Sequence, residues 1–78
     1  MVTYFKSQKD LAEALIKSID AYWNYELAEE DLLSQVNEYI LKNKEKMYGT
    51  NDYTSVIKQR LGKKRIELLN KLLKQTEE

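Results

Sequence analysis

The stretch TSVIKQRLGKKRIELL, residues 54–69, decides the fold, because it reads either as one helix or as two helices meeting at Leu61-Gly62. Its apolar residues favour the single helix. Ile57, Leu61, Leu68 and Leu72 are spaced four, seven and four, which puts them on one stripe of a continuous helix. Gly62 interrupts nothing in that count. An interior glycine costs about 1 kcal/mol against alanine, and beyond it the apolar face drifts towards Ile66 and Leu73. A kink or short break at Gly62 is the alternative. A helix-turn-helix pair needs a turn of three or four residues and a second helix long enough to lie in a major groove. Here only Gly62, Lys63 and Lys64 precede the return of the pattern at Arg65 and Ile66, with no new capping residue. The expectation is an unbroken or gently kinked helix over residues 54–74, started by Thr54 or Ser55 as cap.

Upstream, a loop around residues 48–52 separates this helix from a second one over residues 29–46. Leu27 and Leu32 have the spacing of a hydrophobic staple, and Glu29, Glu30 and Asp31 favour the positive end of the helix dipole. Leu32, Leu33, Val36, Tyr39 and Ile40 form one face, and extending the arc places Asn43 on it, where the helix is expected to meet a wet edge. A first helix spans residues 8–24. Ser7 caps it, Asp10 sits near its positive end, and Tyr4 and Phe5 can fold back on its first turn. Leu11, Ala12, Leu15, Ile16, Ile19, Tyr22 and Trp23 make its oily face. The core is expected to centre on Leu15, Ile19, Val36, Ile40, Leu61 and Leu68.

These elements give an all-α fold, a small three-helix bundle formed by residues 1–78 as a single domain. Proline is absent, both glycines lie in the C-terminal half, and no segment alternates with a strand's period. The 42% hydrophobic and 33% charged content suits a folded chain rather than a disordered one. At 78 residues, with no cysteine or histidine to supply a disulfide or structural zinc, one core provides only a few kcal/mol. Self-association is one way to supplement it. No apolar run approaches the roughly 18 residues of a membrane span and no cleavable signal opens the chain, so a cytoplasmic location is expected and no membrane partner.

Charge is balanced overall but not along the chain. Residues 1–39 hold three lysines against eight acids, a net −5, while residues 40–78 hold ten basic residues against five acids, a net +5. Lys58, Arg60, Lys63, Lys64 and Arg65 form a segment without acids, and on a continuous helix they surround the axis rather than lining one strip. They are the candidate nucleic-acid contacts, against the plainer reading of a solvated helix surface. The acidic cluster Glu26, Glu29, Glu30 and Asp31 is as conspicuous, which favours attraction within a bundle or across a dimer.

Six tyrosines and one tryptophan are many for this length. Tyr22 and Trp23 belong to the apolar arc and read as core. Tyr25, Tyr48 and Tyr53 fall near helix ends and could cluster at one end of the bundle to anchor a protein. Ile66, Leu69 and Leu73 are further candidates for such an interface, since the leucines of the last helix spread wider than two neighbouring helices would cover.

Catalytic chemistry finds few carriers. Without histidine or cysteine the commonest general base, the thiolate nucleophile and the soft metal ligands are missing, and no phosphate loop or serine-nucleophile turn occurs. The expectation is a non-enzyme with no catalytic or metal site, cofactor or small-molecule substrate.

SQKDLAEAL at residues 7–15, Tyr22-Trp23-Asn24 and above all YTSVIKQRLGKKRIELL at residues 53–69 resemble a family of short uncharacterised bacterial proteins of unknown function. The resemblance covers nearly the whole chain. It implies a small stand-alone protein and transfers no catalytic or binding residues. The functional expectation is a helical interaction module that forms a homodimer or binds another protein, with a small nucleic-acid-binding regulator as the alternative.

Overall fold

The computed structural model describes residues 5–49 and 52–75. Helix α1 spans Gln8–Trp23, α2 spans Glu29–Lys42, α3 is the single turn Lys44–Met47, and α4 spans Ser55–Gln75. Among the described residues there is no strand, only an isolated antiparallel bridge between Tyr48 and Tyr53. The all-α bundle is as the sequence implied.

The start of α1 follows its cap: Ser7 has extended backbone and its hydroxyl accepts a hydrogen bond from the Asp10 amide at 3.2 Å. Leu11, Ala12, Leu15 and Ile19 are buried and pack against Leu32, Val36, Tyr39 and Ile40 of α2 and Ile57, Leu61, Leu69 and Leu72 of α4. Ser18, also buried, donates to the Gln35 side chain at 2.8 Å and ties α1 to α2. Trp23 departs from the expected arc and is 42% exposed. Tyr4 lies outside the described residues, while Phe5 meets Tyr39 of α2 edge to face at 5.4 Å.

Asn43 does not face a wet edge, and α2 does not run to residue 46. The helix stops at Lys42, and Asn43 is fully buried with non-helical backbone. Its side chain donates to the Tyr39 carbonyl at 2.7 Å and accepts from the Phe5 amide at 3.0 Å. An asparagine that satisfies backbone groups in this way competes with the helix and ends it. The short α3 follows and buries Met47. Thr54 directly precedes α4 and its carbonyl accepts from the Lys58 amide at 3.1 Å, while its hydroxyl donates to the Lys46 carbonyl at 3.1 Å and its amide to the Met47 carbonyl at 3.0 Å, closing the α3–α4 loop.

The continuous reading of residues 54–74 fails at Gly62. That residue has φ 80° and ψ 170°, a conformation that ends one helix and starts another and that is essentially confined to glycine. The break is sharp. Tyr53, just before α4, donates its hydroxyl to the Asn70 side chain at 2.7 Å. On a straight helix Asn70 would lie about 22 Å along the axis from Ser55, far beyond a tyrosine's reach. Residues 63–75 therefore fold back towards the start of the helix. The break also changes the phase of the apolar face, so that Leu69 is fully buried while Leu68 is only partly covered. A straight helix would have chosen Leu68, about 100° away.

Candidate interaction site at the α1–α2 corner

Just past the end of α1 lies the one residue other than glycine that has a positive φ among those described. The Tyr25 amide donates to the Tyr22 carbonyl at 3.1 Å and the Glu26 amide to the Ala21 carbonyl at 2.8 Å, the paired bonds of a Schellman ending. In that motif the residue after the cap takes a left-handed conformation, usually as glycine. Here it is Tyr25, with φ 63°, the one positive-φ residue besides Gly62 among those described. A side chain there costs roughly 1–2 kcal/mol, and packing does not repay it, because Tyr25 is 98% exposed. Beside it a shallow depression of about 500 Å³ opens between Tyr22, Trp23, Leu27 and Glu29. Tyr22 donates to Glu29 at 3.3 Å, and the Glu29 carboxylate, followed by burial and that bond, pushes the Tyr22 phenol above its ordinary value.

Arg65 fixes the corner to α4. Its guanidinium forks onto Asp20, with Nε to Oδ1 at 3.2 Å, Nη2 to Oδ1 at 2.9 Å and Nη2 to Oδ2 at 3.2 Å. Nη1 donates to the Leu61 carbonyl at 3.0 Å, one of the acceptors that the break at Gly62 would otherwise leave open. The same group lies 5.7 Å from the centre of the Trp23 ring. One side chain thus closes a helix end, pairs with a carboxylate and covers an aromatic face.

The five basic candidates are not equivalent. Arg65 is occupied as described, and Lys58 pairs with Asp52 at 2.7 Å. The Lys58 bond, aided by the Tyr53 amide, holds the Asp52 carboxyl below its usual range. Arg60, Lys63 and Lys64 are exposed and make no ion pair among the described residues. Lys63 and Lys64 occupy the first turn after Gly62, where the helix dipole adds to their positive charge instead of offsetting it.

The aromatic candidates separate as well. Tyr48 and Tyr53 stack at 5.6 Å in the α3–α4 loop, beside Gln8 at the start of α1. Tyr25 lies past the other end of that helix, so the three do not form one cluster. Tyr53 is buried, and burial, with Tyr48 and Asp52 contributing, pushes its phenol up to about 12. Leu69 is fully buried, and Ile66 and Leu73 are partly covered against the core. The fold-back at Gly62 has absorbed much of the expected leucine surplus, so neither Tyr53 nor Leu69 offers an exposed surface. Trp23 is the surface residue the sequence reading assigned to the core, since its arc position marks the border and only the tertiary fold decides a border.

Among the described residues no group of three or more histidine, cysteine, aspartate or glutamate side chains could hold a metal ion, and no helix is long and apolar enough to cross a membrane. Residues 2–74 match a family model whose description reads conserved hypothetical protein. The chain belongs to that family, CLB_0814_fam. The match includes the residues 53–69 on which the resemblance rested and is consistent with an uncharacterised bacterial family. No curated protein and no solved structure matches the chain.

Proposed function

We propose that the protein is a non-enzymatic helical interaction module whose binding surface is the α1–α2 corner, centred on Tyr25 and Trp23. The observation that carries this reading is Tyr25 itself. A tyrosine held at φ 63° and 98% exposed weakens the fold where glycine would serve better, and its ring contributes almost nothing to packing. Rigid amphipathic rings beside a depression are the features that anchor protein interfaces. Phosphate binding through the basic segment is the weaker reading, because Lys58 and Arg65 already serve internal carboxylates.

Retention of protein from a native extract on the immobilised chain, compared for wild type, Tyr25→Gly and Trp23→Ala, tests the proposal. Tyr25→Gly should lose the retained partner while the fold gains up to about 1 kcal/mol from relief of the left-handed tyrosine. Equal retention by wild type and Tyr25→Gly would refute the corner as the binding surface.

A further inference from the structure

The contact of Arg65 with Asp20 and Trp23 brings the apex of α4 to the end of α1, so two oppositely charged surfaces lie side by side. On one side are the exposed acids of the α1–α2 corner, Glu26, Glu30 and Asp31, none of which makes an ion pair among the described residues. On the other are Lys64 and Lys63, one and two residues before Arg65, which also make no ion pair among the described residues. The exposed ring of Trp23 lies against Arg65, and it shares its depression with the exposed Tyr25 and with Glu26.

We infer that the occupant of this surface is a second copy of the chain, docked about a two-fold axis near Trp23. The inference rests on the corner being a protein-binding surface and adds which protein it binds. A two-fold operation places each molecule's acidic side against its partner's basic side, twice, and brings the aromatic rings together at the centre. Adjacent patches of opposite sign are self-complementary under that symmetry, whereas a single-sign patch would repel itself. The arrangement supplies acids to Lys63 and Lys64, whose charge the local helix dipole only reinforces. It gives the interface an aromatic centre and a charged rim. A nucleic acid fits less well, since the acids flanking the rings would repel its phosphates.

Sedimentation of the full chain from micromolar to submillimolar concentration, at low and at raised salt, tests the pairing. A dimer at low salt that dissociates as salt rises is expected. Lys63→Glu with Lys64→Glu should be monomeric, and so should Glu26→Lys with Glu30→Lys, each confirmed as folded by circular dichroism. An equimolar mixture of the two variants should regain the dimer, because the reversed charges complement each other at both halves of the interface. Tyr25→Gly, which does not burden the fold, should also be monomeric. A wild-type monomer throughout the range, or a mixture that stays monomeric while wild type dimerises, overturns the two-fold pairing. If the wild type is monomeric and still retains another protein through Tyr25, the corner remains a binding surface and the second copy is excluded. A monomer that instead binds a short DNA duplex through Lys63 and Lys64, with affinity falling steeply as salt rises, overturns the pairing in favour of phosphate recognition.

Discussion

Replacing Gly62 with alanine should destabilise the protein, and replacing Gly49 should not. Beyond its own chain neighbours and the adjoining helix backbone, no atom lies within 4 Å of a methyl group built on Gly62, so there is room for the side chain and the penalty is conformational. At φ 80° and ψ 170° an L-residue is strained by about 1–3 kcal/mol. The chain could avoid that strain by straightening, and alanine would then gain about 1 kcal/mol of helix propensity. Straightening, however, removes the phase shift that buries Leu69 and separates Tyr53 from Asn70. Losing one buried leucine from a core costs about 2–5 kcal/mol. The break should therefore persist under strain.

Gly49 lacks a positive φ, and its added methyl would meet the Asp52 carbonyl at an ordinary 3.5 Å. Alanine there should stabilise by about 0.4–1 kcal/mol by restricting the unfolded chain. Thermal and urea unfolding followed by circular dichroism reads both variants, and each kcal/mol corresponds to a shift of about 4–8 °C at this size. Gly62→Ala as stable as wild type, or more so, would refute the break and restore the straight helix.

Arg65→Ala should cost about 1–2 kcal/mol, and a double-mutant cycle with Asp20→Asn should show coupling of about 0.5–1 kcal/mol for this partly exposed pair. Arg65→Lys should not rescue it, because an ammonium cannot fork onto Asp20 while reaching the Leu61 carbonyl. Asn43→Ala should cost about 1–3 kcal/mol by leaving the Phe5 amide without its acceptor, as urea unfolding would register. Tyr53 gives an alkaline signature: burial pushes its phenol from a tyrosine's ordinary 10.0 up to about 12, so the fold holds the phenolic proton longer than the unfolded chain does. The associated stability is present below the lower value and lost as pH rises through the upper one. The difference in stability between wild type and Tyr53→Phe should accordingly shrink across that window, and a difference that does not change would contradict the burial of the phenol.

The sequence displayed what short-range physics controls. Ser7, the acids opening α2 and the three- and four-residue spacing of Leu11, Leu15 and Ile19 act within one or two turns, and each appears where the pattern placed it. Asn43 was opaque because one of its partners, the Phe5 amide, lies 38 residues away. A polar residue on an apolar arc looks like a wet edge until such a partner arrives. Gly62 misled for another reason: Ile57, Leu61, Leu68 and Leu72 fit a straight helix by their spacing alone, and glycine opposes that helix only weakly. Long-range contacts, Arg65 to Asp20 and Tyr53 to Asn70, go with the bent form. Tyr25 was legible as a tyrosine near a helix end, but its left-handed backbone left no trace, because a Schellman ending is recognised by its glycine and here the glycine is missing.

That missing glycine links stability to function. A domain of this length has roughly 3–5 kcal/mol of net stability, so about 1–2 kcal/mol of left-handed strain is a large fraction of it. Gly62 shows the chain placing glycine where the backbone demands a positive φ. At the α1–α2 corner it carries tyrosine instead, although the same hydrogen bonds would form with glycine and the ring touches almost nothing. The two positions differ in what surrounds them. Gly62 is held by buried leucines and by Arg65 at the Leu61 carbonyl, so its role is fulfilled inside the fold. Tyr25 has no comparable internal support, so on the proposed reading the free energy its conformation costs is offset where another molecule covers its ring. Binding should therefore raise the stability of wild type more than that of Tyr25→Gly, which reverses their order between the free and the bound state.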